Sequence, residues 1–128
     1  MRTDRELLEL AARANWAQEV ADDEISLRYC EINDGILYLH ADNQDHNGHD
    51  REFVWNPLTD DGDNRRLQVK LGLGLVPLEG GGWGCITWDH GEEVTLATDF
   101  DPNRAIVRGA AEIGAQAHSD HKDGGANA

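Results

Sequence analysis

From Leu7 the apolar positions recur at helical spacing: Leu7, Leu10, Ala11 and Ala14, with Leu8 and Ala12 widening the stripe. Thr3-Asp4-Arg5-Glu6 precedes them as a capping box, with Thr3 as N-cap and Glu6 reaching back. The spacing predicts a helix over 4–15, continuing to about residue 20 through Trp16 and Val20, with Asp22-Asp23-Glu24 as a solvated acidic loop. From Ile25 the period changes to two, as Ile25, Leu27 and Tyr29 alternate with Ser26, Arg28 and Cys30. Asn33-Asp34-Gly35 supplies the positive φ of a tight turn, and Ile36-Leu37-Tyr38-Leu39 is a strand-forming run. A hairpin of 25–32 with 36–41 is therefore expected. The segment 42–50 contains no apolar residue, cannot bury a face, and is expected as an exposed loop.

Phe53-Val54-Trp55 resumes strand character, and Asn56-Pro57 closes it because proline cannot donate to a ladder. Thr59 is placed to cap a second helix, with Asp60, Asp61 and Asp63 favouring its positive end. Arg65 and Arg66 can pair with these acids, Leu67 and Leu71 face the core, and Gly72 and Gly74 end the helix. Leu75-Val76-Pro77-Leu78 is extended, the Glu79-Gly80-Gly81-Gly82 segment turns, and 83–89 and 93–98 form a second hairpin about Asp89-His90-Gly91-Glu92. Asp101-Pro102 opens an amphipathic helix over 102–117, whose Gly109, Ala110 and Ala111 predict close packing on the sheet. Beyond it, 118–128 has nothing apolar larger than Ala and is expected as a disordered tail. The order of elements predicts a single α+β domain over 1–117: a curved, mostly antiparallel sheet flanked by about three helices, sandwich-like in its layering.

Charge changes the picture more than size does. The chain has 128 residues and a formal net charge of −14, and 16 acids against 5 bases place −11 of this in residues 1–64. That excess excludes direct nucleic-acid binding and docking on anionic membranes, both of which need Lys and Arg. No apolar run approaches a membrane span, and Met1-Arg2-Thr3-Asp4 does not begin an export signal. Cys30 and Cys85 are expected as reduced, packed thiols.

Two blocks carry a resemblance: Trp55-Asn56-Pro57-Leu58-Thr59-Asp60-Asp61-Gly62-Asp63 with Arg66-Leu67-Gln68-Val69-Lys70-Leu71-Gly72, and the closing run Arg104-Ala105-Ile106-Val107-Arg108-Gly109-Ala110-Ala111-Glu112-Ile113-Gly114. Over roughly 53–115 the chain resembles the phage ABA-sandwich group of small tailed-phage and prophage proteins. The resemblance implies a phage accessory protein, an α/β/α sandwich and residence in the host cytoplasm. It implies no activity and no catalytic motif.

Candidate chemistry is sparse. His40, Asp42, Asp45, His46, His49 and Asp50 crowd one loop, and His46 and His49 have a zinc-like spacing, as do His118 and His121. The loop has no Cys and no second ligand pair, so a solvated loop is favoured and no metal or cofactor is expected. Asp60-Asp61-Gly62-Asp63 fails the calcium-loop pattern, whose twelfth position here is Leu71. Gly80-Gly81-Gly82-Trp83-Gly84 lacks the Lys-Ser/Thr and the helix of a phosphate loop, and Ser26 and Ser119 lie in no nucleophile elbow. Trp16, Trp55, Trp83 and Trp88 are expected mostly in the core, with one or two free to anchor a partner.

Helix termini account for Asp60, Asp61, Asp63 and Asp101. Asp22, Asp23, Glu24, Asp42, Asp45, Asp50 and Glu52 have no such local explanation and form the candidate partner-binding set. The expected function is a non-enzymatic acidic protein that inhibits a host nucleic-acid-binding defence system, of anti-CRISPR or anti-restriction type, by occupying its basic groove. A phage structural or regulatory protein, and a metal-dependent enzyme using the 40–50 loop, are the alternatives. Whether the chain is a monomer or a homodimer is left open by the residues.

Overall fold

The computed structural model describes residues 2–44 and 50–127, with side chains described for 2–39 and 52–117. Helices α1 (Asp4–Asn15) and α2 (Ala17–Ala21) lead into strands β1 (Ile25–Cys30), β2 (Gly35–Gln44) and β3 (Asp50–Trp55). Helix α3 (Asp61–Leu71) separates these from β4 (Gly74–Pro77), β5 (Trp83–Asp89) and β6 (Glu92–Asp99), and α4 (Pro102–Asn127) closes the chain. The class is α+β, as expected. The strands divide between two antiparallel sheets, A in the order β1-β2-β3 and B in the order β4-β5-β6.

Local chemistry explains the starts and stops. Thr3 Oγ1 accepts from the Glu6 N–H at 3.2 Å while the Glu6 carboxylate accepts from the Thr3 N–H, so the capping box is complete. Trp16, at φ −121°, breaks the first helix and starts the short second one. Asp34 carries the left-handed turn residue at φ 49°, leaving Gly35 free to begin β2. The cap of α3 falls on Asp60, not Thr59, and its carboxylate accepts from the Asp63 N–H at 2.8 Å. Thr59 is displaced because Asn56 Oδ1 accepts from the Leu58 N–H, and the Asn56 carbonyl accepts from both Thr59 and Asp60. Gly72 ends the helix in the left-handed conformation, at φ 66°.

The core joins both sheets through the helices. Leu7, Leu8, Ala11, Ala12 and Trp16 meet Ile25, Ile36 and Trp55 of sheet A, Leu67 of α3, Cys85 of sheet B, and Ile106 and Val107 of α4. Trp16 packs on Tyr38 at 4.7 Å and on Trp55 at 4.9 Å between ring centroids, within the reach of favourable aromatic pairs. Gly109 lies against Cys85, so the expected close approach of this helix to a sheet is found. The buried Asn64 donates to the carbonyls of Pro57 and Asn103, both at 2.9 Å, tying α3 to the start of α4. The backbone of α4 continues helically past the expected end near 117, through residues 118–127.

Candidate interaction surface

Strand register brings the backbones of two distant acidic stretches to one end of sheet A. Ile25 pairs with His40, Ser26 with Leu39, and Leu39 in turn with Glu52. Glu24 therefore leads into the β1 residue that faces His40, and the Asp22–Glu24 turn sits at the end of sheet A where β2 runs on to Gln44. Neighbouring strands are about 4.8 Å apart, so this end gathers backbone from 22–26, 39–44 and 50–52 within a few strand widths. Asp42 lies in β2 and Asp50 in β3, where Gln44 pairs with Asp50. The stretch expected as a loop over 42–50 is thus partly strand, because ladder hydrogen bonds use the main chain and need no apolar side chain. Asp45, together with His46 and His49, lies outside the described residues.

Asp22, Asp23 and Glu24 are exposed. Asp22 accepts from Gln18 Nε2 at 2.9 Å, and among the described residues no ion pair engages any of the three. Asp23 takes a left-handed backbone at φ 59°, which turns the chain into β1. Glu52 meets Arg28 across the sheet at 3.2 Å, with both side chains more than half exposed. Such a pair is worth under about 1 kcal/mol and is readily exchanged for a partner's charge.

Several of the other charges are matched internally. A cleft of about 510 Å³ between α1, β6 and α4 is lined by Arg2, Arg104 and Arg108 together with Glu6, Asp99 and Glu112. Arg104 meets Asp4 at 2.7 Å and Asp99 at 3.5 Å, Arg108 meets Asp99 at 3.3 Å, and Arg2 meets Glu112. Each guanidinium there has a carboxylate of its own, so the cleft ties elements together and offers no free positive site. On α2 and α3, Glu19 pairs with Lys70 at 3.1 Å.

Among the described residues no cluster of His, Cys, Asp and Glu could hold a metal ion. The side chains of His40, Asp42, Asp50, His118 and His121 fall outside that description. Both cysteines are free thiols, Cys85 buried and Cys30 only half-buried. Burial pushes the Cys85 thiol from its ordinary 9.0 up to about 11, so it stays protonated and unreactive near neutrality. A thiol reagent should label Cys30 alone in the native protein at pH 8, and both cysteines after unfolding. The raised value also contributes stability present below pH 9.0 and lost as the pH rises through about 11, because the unfolded chain releases this proton first. The fall in urea midpoint over that window should be smaller in Cys85→Ala than in the parent; equal falls would contradict it. Burial, and then the Asp63 carboxylate, also push the Tyr38 hydroxyl up.

No helix among the described residues is long and apolar enough to cross a membrane. Comparison with protein-family models, curated proteins and solved structures finds no match. The chain's own residues therefore carry the functional reading.

Proposed function

We propose that this chain is a non-enzymatic binding protein whose acidic end of sheet A occupies the basic groove of a host nucleic-acid-binding protein. The supporting observation is the β1-β2-β3 register, which joins Asp22, Asp23 and Glu24 to the strands carrying Asp42, Asp50 and Glu52. Carboxylates held on one rigid end can pair with the Lys and Arg that otherwise hold phosphates, and complementary charge steers the encounter. The phage resemblance of the 53–115 stretch directs this reading to defence nucleases, of the anti-CRISPR or anti-restriction kind. The chain then acts in the host cytoplasm by competing with nucleic acid and requires no cofactor.

The test is capture of host proteins on the immobilised chain at two salt concentrations, followed by affinity and DNA-competition measurements on the captured complex. Affinity should fall steeply with salt, the chain should displace DNA, and neutralising Asp22, Asp23 and Glu24 together should weaken binding about tenfold, roughly 1.4 kcal/mol. An affinity that stays flat from low to high salt would eliminate charge mimicry.

A further inference from the structure

Strand β2 is apolar on both of its faces, whereas the helices that pack on sheet A cover only one. Cross-strand register sorts the side chains into two grids. Leu27, Tyr38 and Phe53 form one row of the inner face, and Tyr29, Ile36 and Trp55 form the next, where Trp16 and α1 cover them. Ser26, Leu39 and Glu52 form a row of the outer face, followed by Arg28, Leu37 and Val54. Strands with continuous apolar runs are those buried on both faces. Here Leu37 and Leu39 remain half-buried and Val54 is 50% exposed, beside a shallow cavity of about 370 Å³ lined by Ser26, Arg28, Leu37, Leu39 and Glu52.

We infer that this outer face is a docking surface for a basic amphipathic segment of the partner protein. Its apolar residues would lie on Leu37, Leu39 and Val54, and its Lys and Arg would meet the adjoining Asp22-Asp23-Glu24 turn and displace Arg28 from Glu52. Charge complementarity selects this occupant. The apolar grid ends at the acidic end of the sheet, and the chain carries −14, which opposes packing against a second copy of itself. The inference rests on the proposed acidic binding reading and adds that the partner contributes apolar anchors, as interface cores do.

A labelled 18-residue peptide with Leu on one helical face and Lys and Arg on the other tests it, against a scrambled isomer of the same composition. Fluorescence anisotropy should show the amphipathic peptide binding about tenfold more tightly, the contribution expected from burying two or three aliphatic side chains in part. Leu37→Ser with Leu39→Ser should bring the two peptides within about twofold. Val54→Ser, at an exposed position with little risk to folding, should at least halve the preference. Neutralising Asp22, Asp23 and Glu24 should weaken both peptides equally. If both bind equally and with steep salt dependence, the apolar dock is wrong and the acidic reading stands. If neither binds, both fail. If light scattering shows a dimer that Val54→Asp dissociates, the face belongs to a second copy and the inference is overturned.

Discussion

Gly114→Ala should lower the thermal midpoint by about 10 °C, corresponding to a loss of roughly 3 kcal/mol for a domain of this size. A Cβ at Gly114 would stand 2.0 Å from the Leu10 carbonyl oxygen and 2.9 Å from its carbon. Both are backbone atoms of α1 and cannot rotate aside, so the two helices must separate. Helix propensity pulls the other way, since alanine in a helix interior gains about 1 kcal/mol over glycine. The sign of the measured change therefore decides between local preference and the α1–α4 contact. Gln116→Ala, exposed on the same helix, is the control and should leave the midpoint nearly unchanged. A Gly114→Ala protein as stable as its parent would mean that α1 and α4 do not approach as described.

Ile106→Ala should cost about 2–5 kcal/mol, whereas Ile32→Ala should cost under about 0.5 kcal/mol. Ile106 is fully buried in α4, within the cluster that joins Leu7, Leu8, Trp55 and Leu67. Removing its side chain leaves a cavity among groups held by both sheets, which cannot all collapse into it. Ile32 is 93% exposed in the turn between β1 and β2 and loses almost no burial. Urea unfolding of the two variants compares the same substitution in two environments. Equal effects would contradict the placement of the core.

Much of the local structure was legible because neighbouring residues decide it. Thr3 and Glu6 form their box within four residues, His90 and Gly91 adopt the left-handed turn their hairpin needs, and Pro102 opens α4. Where competing partners lie close, local pattern does not fix an element's end: Asn56 holds Thr59 in a turn and moves the cap to Asp60. The extension of β2 to Gln44 escaped the hydrophobic pattern because ladder bonds are made by backbone. The division into two sheets was equally hidden. Strand character does not say which edges pair, and a helix between β3 and β4 is compatible with one sheet or with two.

The candidate site divides in the same way. Residue type and order determined that the chain is strongly acidic, that most of this charge lies in its first half, and that several carboxylates have no evident role at a helix terminus. These are properties of residue type and sequence position. Tertiary structure decided which carboxylates are spent internally, as when Asp99 meets Arg104 and Arg108, and which acidic stretches meet at one end of a sheet. It also separated the faces of β2: Leu37 and Leu39 belong to a continuous apolar run, yet no described helix covers them. An apolar pattern records that a face avoids water, while only the packing of the rest of the chain determines whether this chain or a partner covers it.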